Sequence, residues 1–239
     1  MIGNVAVSKG WRRRGIARSL ISAAIDLARG RRGEWIALQV RSDSEAAKNL
    51  YVSLDFKAVG ETMQFRRTRP FVSIPSAPMP GEEFRRGRAA DAHRIYALAQ
   101  AAIPQELRWA EPLRRDDFWL GPDRTLGNWL SGRREAWRVI ASDMEIKGAA
   151  HLELPRRPHY DGRLRVWVSP GYQGRYEDRL VRAVLSSVNG AMRRSMSATV
   201  PAEHAAARQA LEAAGFVLRR RLTHMRLELK GRSDLSEST

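Results

Sequence analysis

The sequence predicts an α/β fold on a mixed sheet, in two units arranged in tandem, and three observations predict it. The segment IGNVAVSKGWRRRGIARSLISAAI (residues 2–25) reads as a short apolar strand, a basic turn and a helix. A second segment, SPGYQGRYEDRLVRAVLSSV from Ser169 onward, repeats that pattern. Between them, Pro70, Pro75, Pro78 and Pro80 with Ser73, Ser76 and Gly81 form a linker-like stretch that separates two compact units.

Each element follows from local pattern. Ile2 to Val7 is apolar and short, a strand; Ser8 to Arg14 is a tight basic turn. From Gly15 a helix opens, with Ile16, Leu20, Ile21, Ala24, Ile25 and Ala28 spaced as one apolar stripe. Trp35 to Val40 reads as a strand, Ser44 to Phe56 as mainly helical, and Lys57 to Gly60 and Thr62 to Arg67 as two short strands. After the linker (70–81) a second domain is expected over 82–230. It holds a strand at Glu82 to Arg88, a helix at Ala89 to Ala102 and part of a further helix at Arg124 to Leu130. A hairpin follows at Trp137 to Ala141 and Lys147 to Leu154, then a half-exposed strand at Leu164 to Val168. Ala202 to Ala214 is helical and leads into Gly215-Phe216; the polar tail 231–239 is expected to be disordered.

Composition narrows the chemistry. At 239 residues and 43% hydrophobic content, one large domain or two modest ones can bury a core. No apolar run approaches the roughly 20 residues that cross a bilayer, and nothing resembles a signal peptide. The absence of Cys excludes disulfides, thiolate metal sites and a Cys nucleophile, and fits a reducing, cytoplasmic setting. The His residues (93, 151, 159, 204, 224) show no metal-ligand spacing, so no metal is expected. Ser8 and Ser19 have no His or acid at triad spacing. The formal charge of +16 is carried almost wholly by Arg. It lacks the aromatic interleaving of a nucleic-acid reader, and a solvated basic surface with an anionic cofactor accounts for it as well.

The turn between strand and helix is where anion chemistry is expected. Gly15 has no side chain to block backbone approach, the first-turn N–H groups have no intrahelical partner, and the helix dipole adds positive charge there. The residues Arg12-x-x-Gly15-x-Ala17 resemble the acyl-CoA signature Gln/Arg-x-x-Gly-x-Gly/Ala of the GCN5-related N-acetyltransferases (GNAT). SEAAKNLYVSLDF (44–56) is similar to that family's Asn-x-x-Ala-x-x-Leu-Tyr-x-x-x-Gly-Phe segment: Ala47, Leu50, Tyr51 and Phe56 match, while Ser44 and Asp55 replace the usual Asn and Gly.

The resemblance implies the GNAT fold, present as the second half of one domain (1–69) followed by a complete but degenerate second copy. It implies acetyl-CoA as co-substrate and acetyl transfer to a primary amine on a small molecule or peptide. Val5, Ala6 and Val7 would pair with pantetheine amides, and Arg12, Arg13 and Arg14 would supply charge. The N–H groups of Gly15, Ile16 and Ala17 would hold the pyrophosphate; Ser44 and Asn49 would touch the cofactor. Tyr51 would be the general acid for the leaving thiolate, its packed-core alternative being a helical tyrosine beside Leu50 and Leu54. No general base is identifiable.

In the second copy Tyr176 and Asp178 replace the glycine and small residue, and Leu211 stands at the Tyr51 position, so that copy is expected to be non-catalytic. The resembled fold begins with a strand, two helices and two more strands, which nothing before Met1 supplies. The expectation is an exposed strand at Ile2 to Val7, rescued by an upstream extension, by docking on the second domain or by homo-oligomerisation. Two other readings stay open: a non-catalytic acyl-CoA-binding regulator, and a basic nucleic-acid binder.

Overall fold

The helix that follows the basic turn does form, and the described parts of the chain can be built outward from it. In a computed structural model, residues 5–68, 82–142, 145–157, 159–188, 191 and 194–229 are described. The expected linker 70–81 and the tail 231–239 lie outside them, as does the Ile2 to Asn4 part of the first expected strand. Packing divides the chain into residues 1–61 with 221–239, and residues 62–220, rather than at the composition change after residue 69.

In the first unit, α1 (Ile16–Gly30) lies against β1 (Trp35–Arg41), and α2 (Glu45–Val52) follows. Ile21 and Ile25 of α1 are buried with Ile36, Leu38 and Val40 of β1, and Tyr51 and Phe56 complete that core. Leu20, expected in the apolar stripe, is instead exposed, because the row that turns inward is Ile21, Ile25 and Ala28. Val5 to Val7 are not a strand: no described strand offers them a ladder, and Val7 spends its carbonyl on the Arg12 side chain at 3.0 Å. Lys57 to Gly60 and Thr62 to Arg67 form one continuous strand, β2 (Lys57–Arg67).

The second unit is a sheet in the order β2-β7-β6-β5-β4-β3. Its strands are β3 (Glu83–Arg86), β4 (Arg134–Ser142), β5 (Glu145–Leu154), β6 (Gly162–Val168) and β7 (Met196–Pro201). All neighbours are antiparallel except β6 and β7, which are parallel. The alternation of side chains along these strands feeds two cores. Leu164, Val166 and Val168 face α5 (Glu177–Ser186) and α6 (Ala205–Ala213). Val139, Ala149 and Trp167 face α3 (Ala92–Ala102). A further helix, α4 (Pro122–Ser131), buries none of its residues.

The last strand of each sequence copy is exchanged. β8 (Val217–Glu228) follows α6 in sequence, yet it pairs antiparallel with β1, from Trp35↔Glu228 to Arg41↔Leu222, in the first unit. Met225, Leu227 and Leu229 thereby enter the first core. Conversely β2, which follows α2, pairs antiparallel with β7 from Thr62↔Pro201 to Arg67↔Met196 in the second unit. No described helix is long and apolar enough to cross a membrane.

Candidate active site

The turn that opens α1 is built by its backbone. Trp11 N–H donates to the Ser8 carbonyl at 2.9 Å, closing a short 3-10 turn (Lys9–Trp11). Arg13 then adopts φ 63° and Gly15 φ 77°, two left-handed residues in three. Gly15 is the N-cap of α1, and the first intrahelical bond runs from Ser19 N–H to its carbonyl at 3.0 Å. The N–H groups of Ile16, Ala17 and Arg18 therefore precede the helix ladder and have no partner within it. A Cβ built on Gly15 meets nothing within 4 Å, so the space over this turn is open.

The three arginines divide their work. Arg12 Nε holds the turn through Val7 O, and Arg14 lies over the Trp11 ring at 5.0 Å. Arg12, Arg13 and Arg14 are all exposed. Arg18, which sequence reasoning passed over, donates to Ser53 Oγ at 2.6 Å, and Ser53 in turn donates to the Leu50 carbonyl at 2.7 Å. That chain ties the opening turn of α1 to the end of the helix that carries Tyr51.

Tyr51 is 9% exposed, with its ring edge-on to Phe56 at 5.9 Å between centroids. Its hydroxyl makes no hydrogen bond among the described residues, and burial raises the phenol above its ordinary value. At neutral pH the proton stays on, as a donor requires. Ser44 is half-buried at the N-cap of α2, and its carbonyl accepts from Ala47 and Lys48 at 3.1 and 3.0 Å. Nearby in sequence, Ser42 Oγ and Thr223 Oγ1 lie 2.9 Å apart and donate to Glu61 at 3.0 and 2.8 Å. Sequence reasoning missed this cluster, because Thr223 comes from the exchanged strand β8. No described group of three or more acidic or imidazole side chains is placed to hold a metal.

The second copy repeats the short turn and its left-handed residue, but at the glycine position Tyr176 takes φ −123° where Gly15 takes 77°, and a side chain fills the cradle. Tyr172 N–H donates to Ser169 O at 2.8 Å, and Gly174 takes φ 89° where Arg13 takes 63°. Here the carboxylate of Glu177 accepts from Gly174 N–H at 3.0 Å and from Tyr176 N–H at 3.1 Å. His204, the N-cap of α6 at the position equivalent to Ser44, contacts the same carboxylate at 2.8 Å. Burial opposes the charge on Glu177, yet the hydrogen bonds from His204 and the Gly174 N–H outweigh it and hold the carboxyl below the ordinary range. Tyr176 is fully buried and donates its hydroxyl to Glu82, so the tyrosine at the glycine position packs inward.

Residues 1–56 match the model of the acetyltransferase (GNAT) family. No curated protein matches the sequence. Among solved structures, the chain is similar to a GCN5-related N-acetyltransferase from Sphaerobacter thermophilus, at 17% identity and TM-score 0.62 over 93% of this chain and 70% of that one. It is also similar to a tandem GNAT protein from the clavulanic acid biosynthesis pathway, at 16% identity and TM-score 0.58 over 93% and 73% of the two chains. A functionally unknown conserved protein from Staphylococcus epidermidis aligns at 9% identity and TM-score 0.54, over 89% of this chain and 80% of that one. At such identities the likeness is one of fold. The chain thus has the fold of GCN5-related N-acetyltransferases, and its residues 1–56 match that family's model.

Proposed function

We propose that the first unit is an N-acetyltransferase that moves the acetyl group of acetyl-CoA to a primary amine on a small molecule or peptide. The observation that carries this reading is the Gly15 turn: a left-handed N-cap, open space above it, and three N–H groups outside the helix ladder. Ile16 and Ala17 hold the pyrophosphate through their N–H groups, Gly15 lets it approach the backbone closely, and Arg13 and the outer nitrogens of Arg12 and Arg14 add charge. Val5, Ala6 and Val7, free of any sheet ladder, pair with the pantetheine amides, and Ser44 sits at its N-cap toward the same ligand. The amine, as its free base, attacks the thioester carbonyl, the C–S bond breaks, Tyr51 gives its phenolic proton to the departing thiolate, and the proton shed by the acylated nitrogen restores the phenol through water. The second copy does not bind acyl-CoA, because Glu177 occupies its cradle.

The experiment pairs calorimetry with a thiol-release assay over a panel of amines and peptides. One acetyl-CoA site per chain is expected, lost in Gly15→Glu, with release of thiol for at least one acceptor class. Acetyl-CoA binding without thiol release from any acceptor would favour the acyl-CoA-binding regulator. No binding at all would remove the family reading of this turn.

A further inference from the structure

The second unit holds a cavity of about 1090 Å³ at the place where β6 and β7 part. Their parallel ladder runs only from Gly162↔Met196 to Leu164↔Ala198, while β6 continues to Val168 and β7 to Pro201. Beyond Leu164 the two strands no longer satisfy one another, so backbone polar groups line the opening.

Arginine dominates the walls. Arg163 and Arg165 are two residues apart on β6, so they share a face, roughly 7 Å apart along the strand. Leu164 and Val166 between and beside them turn to the opposite core. Arg219 and Arg114 join them, and Arg220 is held at the rim by a 2.5 Å bond to Gln64 Oε1. Among the described residues, the side chains of Arg114, Arg163, Arg165 and Arg219 make no hydrogen bond or salt bridge. Of the acidic lining, Glu153 is engaged by Arg133 at 3.3 Å, while Glu111 and Asp117 lie near enough to Arg165 to act on its charge. The lining sets six arginines against three carboxylates, so positive charge is in excess there even with Glu111, Asp117 and Glu153 acting on Arg165, and a guanidinium fork matches carboxylate or phosphate oxygens two at a time.

We propose that this cavity binds a small anion bearing two or more carboxylate or phosphate groups, held by Arg163, Arg165 and Arg219. The site is separate from the Gly15 turn and gives the second unit a ligand of its own, whatever the first unit does.

The test titrates citrate and inorganic pyrophosphate, separately, into the full chain carrying Gly15→Glu, which removes the first unit's cradle from the measurement. Saturable one-site binding is expected for at least one probe, and which probe binds tells carboxylates from phosphates. The Arg163→Gln/Arg165→Gln pair should weaken it at least about tenfold, and so should the surface change Arg219→Gln. If the β6 pair disturbs folding, Arg219→Gln carries the comparison alone. Failure of both probes to bind by about 1 mM, or an affinity in Arg219→Gln equal to that of the parent, overturns the proposal.

Discussion

Both carboxylate oxygens of Glu177 lie 3.0 Å from the Gly174 amide nitrogen. The group that stabilises an empty turn in the second copy is thus chemically the same as the group the first turn is suited to receive: an anion on backbone N–H donors. Its loss has a signed pH consequence. A carboxyl held below its ordinary value contributes stability that is fully present above the unfolded pKa, about 4.3. That stability is lost as pH falls through the lower folded value. Glu177→Gln should therefore melt lower than the parent at pH 7, and the gap should narrow as pH falls from about 5 to about 3. Other carboxyls titrate over the same range, so the difference between the two melting curves is what is read. A constant gap across that range would mean that Glu177 acts by packing alone.

The plug should also be transferable. Ile16 stands at the Glu177 position and Ser44 at the His204 position, and the backbone of both turns carries a left-handed residue at the same place. Ile16→Glu with Ser44→His should bring a carboxylate onto the first unit's N–H groups. Acetyl-CoA affinity should then fall by about a hundredfold or more, as two charge-assisted hydrogen bonds to the ligand are pre-empted. Ile16→Gln with Ser44→His, which has the shape without the charge, should fall less. Equal losses in both would point to bulk instead.

Two residues of the first unit hold a left-handed backbone where the second copy has glycine. Asp55 sits at φ 64° against Gly215 at 79°, and Arg13 at 63° against Gly174 at 89°. A side chain in that region costs about 1 kcal/mol, partly recovered by the smaller entropy loss of a non-glycine residue on folding. Asp55→Gly should therefore stabilise the chain by up to ~1 kcal/mol in urea unfolding, with acetyl-CoA affinity unchanged. Arg13→Gly should gain similar stability and lose affinity, by about three- to tenfold for one exposed cation. If both changes leave affinity untouched, Arg13 does not reach the phosphates.

The legible parts of this chain were those with local causes. The helix at Gly15, the strand from Trp35 and the helix within residues 44–56 are set by spacing within a dozen residues, and each formed where its pattern put it. The site turn was legible for the same reason: a glycine, a basic run and an apolar stripe lie in one stretch. What local pattern does not encode is which strand lies beside which. β2 and β8 each follow the second motif of their own copy, yet Met225 and Leu227 of β8 pack with Ile36 and Leu38. The Ser42–Glu61–Thr223 cluster depends on that exchange, and so it was invisible. The three partners of Glu177, one of them His204, likewise needed coordinates.

At Tyr51 chemistry and packing can be separated by substitution. Its ring is buried against Phe56 and the α1 core, while its hydroxyl has no hydrogen-bond partner among the described residues. Removing only the oxygen therefore leaves no protein group unsatisfied, and Tyr51→Phe should melt within about 0.5 kcal/mol of the parent. If the phenol is the proton donor to the departing thiolate, turnover should nonetheless fall roughly 10²–10⁴-fold. Acetyl-CoA affinity, read by calorimetry, should hold. Tyr51→Leu makes the opposite trade. It installs the residue found at the equivalent position of the second copy, Leu211, which is fully buried there. That change removes the ring as well as the proton, so stability should drop by about 1–3 kcal/mol while turnover falls no further than in Tyr51→Phe. Equal turnover in the parent and Tyr51→Phe at saturating substrate would assign Tyr51 to the core alone. A turnover that tracks stability across both variants would do the same.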